Sequence, residues 1–120
     1  MFQAINMFVA GDVSTGTKKG QAIVLKAGTI TTVYGVFGTA GTGGSAVLDI
    51  NKNGTTIFSG ATKLTIPIST TTAVAGSALS TTNGIYTVAA GDIITFDVDT
   101  ADSGNAAADM TVGVLIEYAQ

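Results

Sequence analysis

Apolar and polar residues alternate with a period of two along much of this chain. Every second residue is apolar between Ile94 and Asp99, and the same alternation runs from Met110 to Tyr118. Successive side chains of a β-strand point to opposite faces, so this period predicts strands with one face on a core and one in water. No helical period of useful length competes with it, and we therefore predict an all-β fold.

Turn signals separate the alternating runs. Asn53-Gly54 is the dipeptide favoured in two-residue hairpins, and the glycine-containing dipeptides Gly43-Gly44, Asn83-Gly84 and Gly91-Asp92 mark further turns. We predict eight strands, over 20–26, 29–38, 45–51, 55–59, 63–69, 85–89, 93–99 and 109–118. Eight short strands predict a two-sheet antiparallel β-sandwich of jelly-roll or Greek-key type. Pro67 lacks a backbone donor, so we expect its strand at an edge or at a bulge.

The first nineteen residues are expected to form a separate unit. An apolar stretch precedes a segment of Gly, Ser, Thr and Lys, which is the composition of a flexible linker. The apolar residues are Phe2, Ile5, Met7, Phe8 and Val9. We interpret residues 1–19 as a docking arm with its linker and 20–120 as the sandwich; the alternative is a first strand of the sandwich itself. If the arm interpretation holds, a chain without residues 1–10 stays folded but binds its partners less tightly.

The stretch from Ile30 to Phe37 breaks the alternation. Tyr34 and Val36 share the parity of Ile30, whereas Val33 and Phe37 have the opposite parity. A strand that is apolar on both faces is covered on both faces. Either a loop covers a central strand, or a subunit interface does. The second alternative makes Val33 and Phe37 candidate interface residues, together with the apolar residues of the arm.

The inventory of side chains argues against catalysis. The chain has no histidine, cysteine, arginine or tryptophan. The commonest general base, the commonest metal ligand, a thiol nucleophile and a Ser-His-Asp triad are therefore excluded. We predict a protein that is not an enzyme and that needs no cofactor.

The acidic residues of the alternating strands are the strongest exception. Asp97, Asp99 and Glu117 share outward parity on strands that could be neighbours, and Asp49 could join them. Clustered carboxylates can bind calcium or act in acid–base catalysis. We favour the other interpretation, a solvated face whose charges discourage edge pairing.

Charge is scarce, which narrows the range of partners. Five lysines stand against eight acidic residues, so the chain lacks the basic footprint of a nucleic-acid-binding protein. No apolar run reaches the length of about 18 residues that a membrane helix needs. Residues 1–10 lack the basic start of a signal peptide, so we expect synthesis in the cytoplasm. A surface with so few charges does little to prevent self-association, and we predict a homo-oligomer.

Residues 45–118 resemble a β-sandwich module of tailed-bacteriophage structural proteins. The resemblance depends on the hairpin D-I-N-K-N-G-T-T-I-F-S at 49–59 and on A-A-G-D-I-I-T-F-D-V-D at 89–99. Both are similar to segments of head decoration (cement) proteins and of tail-fibre and baseplate domains. The resemblance implies a virion component without catalysis. A short, free-standing chain fits a decoration protein better, because fibres attach such modules to long shafts.

We therefore expect a capsid decoration protein on the outer surface of the phage head. It would be made in the host cytoplasm, assemble as a trimer, and bind and stabilise the lattice of the major capsid protein. The alternative is a tail-fibre or baseplate module that binds a receptor or glycan, with Tyr34, Tyr86 and Tyr118 as candidate stacking residues. A third hypothesis, a hydrolase of cell-wall or capsule polymers, would depend on the outward acidic residues.

Overall fold

The computed structural model describes residues 1–59, 63–76, 86–101 and 106–118. Over these ranges the chain forms ten strands and no helix, which confirms the all-β prediction. The strands are β1 (Phe2–Asp12), β2 (Gly16–Ile23), β3 (Gly28–Thr39), β4 (Ser45–Lys52), β5 (Thr55–Thr56), β6 (Leu64–Pro67), β7 (Val74–Ala75), β8 (Thr87–Val88), β9 (Ile93–Thr100) and β10 (Ala108–Tyr118). Residue 85, the first of a predicted strand, lies outside the described residues, as does the predicted turn at Asn83-Gly84.

Two antiparallel sheets pack face to face. Sheet A has the order β1-β10-β3, with β7 and β8 both on the far side of β3. Sheet B has the order β2-β9-β4, with β5 and β6 both on the far side of β4. The first strand thus pairs with the last, the second with the second to last, β3 with β7 and β8, and β4 with β5 and β6. This nested pairing is the jelly-roll arrangement, so the predicted sandwich is confirmed.

The core lies between the two sheets and is filled by the inward residue of each alternating pair. Its largest fully buried side chains include Phe37, Phe96, Leu48, Ile50, Ile66 and Met110. Gly35 marks a point of close approach between the sheets, because a Cβ there would lie 2.5 Å from Cδ1 of Ile66. The core cluster of buried residues is apolar, and its packing fixes which face of each strand meets solvent.

The hairpin predicted at Asn53-Gly54 is present and joins β4 to β5. Both residues have positive φ, 50° and 89°, as a type I′ turn requires. Pro67 ends β6, which pairs with β4 alone among the described strands. Its predicted position on an outer strand is therefore confirmed.

The broken alternation in β3 comes from a β-bulge at Thr31. Thr32 pairs with Leu115 and Ile30 with Ile116, so Thr31 is an extra residue without a partner. A bulge changes the parity of the strand on one side of it. As a result, Ile30, Val33 and Phe37 all face the core. Neither a covering loop nor a subunit interface is needed to explain why these three residues are apolar.

The N-terminal segment is a strand of the sandwich, in place of the arm and linker that we expected. Residues 2–9 pair in register with residues 110–117 of β10. The residues expected as linker are held as well: the Val13 N–H donates to the Ala107 carbonyl (2.8 Å), and β2 begins at Gly16. Paired backbone and alternate burial make β1 part of the domain, which was the alternative interpretation.

Candidate functional site

The outward side chains of sheet A include several exposed apolar residues, with polar residues such as Asn6 and Glu117 on the same face. Phe2 is 55% exposed, Phe8 64% and Tyr34 49%, which is unusual for aromatic rings of a small domain. We call this surface the apolar outer face, and define it by Phe2, Ala4, Phe8, Tyr34, Val36 and Leu115. Exposed aromatic and aliphatic residues grouped on one face of a sheet can mark an interaction site.

Strand register brings these residues together from three strands. Asn6, Gly113 and Tyr34 stand in one row across β1, β10 and β3. In the next outward-facing row, Phe8 of β1 lies opposite Thr111 of β10. Gly113 has no side chain, and a shallow cavity of about 260 Å³ opens here, lined in part by Asn6 and Tyr34. The surface therefore combines exposed rings with a depression beside one of them.

The predicted interface residues divide between this surface and the core. Phe2 and Phe8 lie on the apolar outer face, and Val9 is partly buried against the core. The other four, Ile5, Met7, Val33 and Phe37, are between 1% and 8% exposed. Their side chains are inaccessible to a partner while the sandwich is closed. Parity within β1 is the signal that separates the two groups, since its even-numbered residues face outward.

The outer face of sheet B carries acidic residues that are already paired, besides the exposed apolar pair Ile23 and Ile93. Lys63 Nζ lies 3.1 Å from Asp49 Oδ2 and 2.9 Å from Asp99 Oδ2. Hydrogen bonding to Asp99 is the main reason why the pKa of Lys63 is raised above its ordinary value. Asp97 accepts bonds from the Lys18 N–H (2.8 Å) and from Asn51 Nδ2 (3.2 Å). These contacts describe a self-contained network of hydrogen bonds and ion pairs.

The prediction that Glu117 shares a face with Asp97 and Asp99 is wrong. Glu117 lies on β10 in sheet A, whereas Asp97 and Asp99 lie on β9 in sheet B. Asp49 does join Asp97, directly opposite it in the ladder. Between the Asp49 and Asp99 carboxylates the lysine ammonium takes the position in which a cation would be held. Over the described ranges, no group of three or more His, Cys, Asp or Glu is arranged to hold a metal ion.

The three tyrosines differ in their surroundings. Tyr34 stands on the apolar outer face, and Tyr86 packs partly buried against the core. Tyr118 is also partly buried, and Lys26 Nζ lies 4.8 Å from the centre of its ring. Of the three, Tyr34 has the exposed ring, with about half of its surface accessible to solvent. It is therefore the tyrosine best placed for stacking.

No protein-family model, curated protein or solved structure matches this chain.

A functional conclusion therefore depends on the geometry of the two outer faces. In sheet B, Lys63 forms ion pairs with Asp49 and Asp99. In sheet A, no described residue covers the exposed aromatic rings. The described residues also include no helix that is long and apolar enough to cross a membrane. The apolar outer face of sheet A is the candidate functional site.

Proposed function

We propose that this protein is a bacteriophage capsid decoration protein that binds the major capsid protein through the apolar outer face of sheet A. The observation that carries the proposal is the exposure of Phe2, Phe8 and Tyr34 on a single sheet face. Removing such rings from water contributes about 25 cal/mol per Å² of apolar area. A binding role follows more naturally from this surface than a catalytic one, and we propose no enzymatic activity.

The fold and the sequence support a structural role in a virion. Jelly rolls recur in viral capsid proteins and in lectins, although a fold alone does not set a function. The hairpin at 49–59 resembles that of phage decoration proteins. A protein that binds only the assembled lattice stabilises it by mass action, and many copies on one particle add avidity.

A tail-fibre or baseplate module that binds a receptor or glycan is the second candidate. It is favoured by the half-exposed Tyr34 ring beside the cavity, with the Asn6 amide on the same row. An aromatic ring and an amide are side chains that could stack on a sugar and hydrogen-bond to it. The same substitution at Tyr34 therefore tests both candidates with different ligands.

Binding to phage heads stripped of this protein tests the proposal. We expect Tyr34→Thr to weaken head binding at least tenfold, because a central aromatic residue contributes strongly to an interface. Threonine keeps the β-propensity of the position. The matched control is Leu25→Thr, since Leu25 is 74% exposed but lies outside sheet A.

Cosedimentation with heads, followed by cryo-electron microscopy of the particles, gives the readout. Equal binding by Tyr34→Thr and the unaltered protein would contradict the proposed surface. Density for the protein on tails alone would reject the placement on the head. Loss of glycan binding without loss of head binding would favour the second candidate.

A further inference from the structure

We infer that two copies of this chain pair edge to edge through β1 and form a symmetric dimer with one continuous sheet. β1 is the outer strand of sheet A, and β10 is the only described strand with which it pairs. The inference stands apart from the proposed virion role. A monomeric protein could still bind heads, and a dimer that binds no heads would leave the pairing intact.

The open edge of β1 carries unused backbone groups on alternate residues. The Tyr118 N–H donates to the Met1 carbonyl (2.8 Å), and the register continues unchanged through Phe2 and Glu117. In an antiparallel ladder every second residue exchanges hydrogen bonds with its opposite neighbour, so the odd-numbered residues of β1 face β10. The backbone groups of Phe2, Ala4, Asn6 and Phe8 therefore point to the open edge, and their side chains lie on the outer face of sheet A.

The other sheet edges carry features that prevent pairing. β2 holds Lys18 and Lys19 and has an irregular register between Gly16 and Gly20. The remaining outer strands have two to four residues, and the longest of them, β6, ends in Pro67. Charges, bulges, proline and short length are the devices that protect edges. β1 has eleven residues and no charge from Phe2 to Gly11, so it is the one long unprotected edge among the described strands.

One register matches the edge of β1 to itself. When a two-fold axis passes through Ile5, Phe2 lies opposite Phe8 of the partner subunit, and Ala4 lies opposite Asn6 of the partner subunit. Each backbone N–H and C=O that points to the open edge between residues 2 and 8 then lies opposite the same kind of outward-pointing residue in the partner subunit. Hydrogen bonds can therefore form along this whole stretch. Shifting the register by two residues separates the two aromatic rings. The rings stand on the same face of the joined sheet, where directly opposite aromatic side chains stabilise a strand pair.

The available area suits a dimer. Residues 1–9 of each copy overlap in this register, over about 30 Å at the rise of a β-strand. The narrowest extent of the molecule is 22 Å. These dimensions set an upper limit of about 650 Å² per subunit, or about 1,300 Å² in total, at the lower end of the range of specific interfaces. The two-fold pairing is closed, because it uses the free edge of both copies. The proposed dimer is thus an alternative to the trimer that we expected from the sequence.

Light scattering on the purified full chain, with sedimentation equilibrium for affinity, tests the dimer. We expect a mass of twice 11.9 kDa for the unaltered protein. Ala4→Lys places like charges near the two-fold axis and should weaken dimerisation at least tenfold. Ala10→Lys is the matched control, because Ala10 is also an exposed alanine of β1 but lies outside the overlap, and this variant should remain dimeric.

A second measurement needs no variant. In the dimer the amide hydrogens of Ala4, Asn6 and Phe8 should exchange more slowly as protein concentration rises, while those exposed in loops should not change. A monomer or a trimer at high concentration would overturn the inference, as would equal effects of Ala4→Lys and Ala10→Lys. A dimer in which these three amides exchange freely would overturn it too, since the subunits would then meet elsewhere.

Discussion

At the scale of single residues, a few side chains tie distant parts of the chain together. Asp92 accepts a hydrogen bond from the Ala89 N–H (2.8 Å) through one oxygen and from Asn53 Nδ2 (3.1 Å) through the other. The Asn53 side-chain oxygen accepts in turn from the Ile93 N–H (2.9 Å). The hairpin between β4 and β5 is thereby fixed to the turn that precedes β9. The dipeptide Asn53-Gly54 predicts the turn, but nothing local in the sequence predicts the link to Asp92.

Replacement of Asp92 should weaken the fold at neutral pH and flatten its response to acid. The backbone bond from Ala89, then the bond from Asn53, lowers the pKa of Asp92 below its ordinary value of 3.8. A depressed pKa contributes stability that is present above pH 3.8 and is lost as pH falls through the folded-state pKa. Asp92→Asn should lower the free energy of unfolding by about 1 kcal/mol at neutral pH, the usual net contribution of a hydrogen bond.

Urea denaturation at pH 7 and at a series of acidic values measures both effects. Asp12→Asn is the control, because Asp12 is an exposed aspartate of β1. It should leave the free energy of unfolding at pH 7 close to that of the unaltered chain. An Asp92→Asn variant that loses stability with falling pH as steeply as the unaltered protein would contradict this assignment.

At the scale of strands, alternation predicts which residues face the core except where the strand is irregular. The long alternating runs of β9 and β10 appear within a residue of their predicted bounds. In β3 the bulge at Thr31 changes parity, and the sequence alone shows the break but not its cause. β1 is absent from the predicted strands because Phe2 and Phe8 are apolar although they lie on its solvent face. These two residues hide the alternation of apolar and polar residues in this segment. β7, with two residues, is too short to show a period.

Deletion of Thr31 should be tolerated, unlike deletions elsewhere in the same strand. Without the extra residue Ile30 still faces the core opposite Ile116, so β3 becomes a regular strand. The cost should be about 1 kcal/mol, since the Thr31 hydroxyl gives up its bond to the Leu115 carbonyl (3.3 Å). Deletion of Val36 instead reverses parity on one side of the gap, and losing the burial of Phe37 alone costs about 1.5–3 kcal/mol.

Chemical denaturation of the two deletion variants decides between these outcomes. If removal of Thr31 destabilises the chain as much as removal of Val36, the bulge does not set the register of β3. Thr31→Ala serves as a further control, because it keeps the extra residue and removes only the hydroxyl.

At the scale of the whole molecule, the nested pairing determines which side chains meet. Periodicity shows which face a residue occupies but not which strand lies next to its own. Asp49 and Asp97 therefore proved to be opposite each other, while Glu117 proved to be in the other sheet. The candidate surface shows the same division: Phe2 and Phe8 were singled out from the sequence, but the row that joins β1 to Tyr34 follows only from the pairing with β10.

Removal of residues 1–10 should unfold the domain, contrary to what an arm would allow. The truncation takes Ile5 and Met7 out of the core and leaves β10 as an open edge. Burial of each such side chain contributes about 1.5–3 kcal/mol, a large part of the 5–15 kcal/mol that stabilises a typical domain. We expect circular dichroism and amide NMR spectra without a cooperative folded state at 25 °C.

The control for this truncation keeps the strand and changes only its exposed rings. Phe2→Thr with Phe8→Thr leaves the inward residues of β1 in place, so this variant should remain folded. A truncated chain that melts cooperatively near the temperature of the full-length chain would restore the arm interpretation.

The pairing of β1 with β10 also imposes an order on folding during synthesis. Val9 pairs with Met110, so about 100 residues must be added before the first strand finds its place in sheet A. At about 5–20 residues per second the nascent strand waits roughly 5–20 s, whereas the hairpin of β4 and β5 can close at once. Contacts so distant along the chain also slow the final step. The hairpin of β4 and β5 can therefore form while the position between β1 and β3 in sheet A still awaits β10.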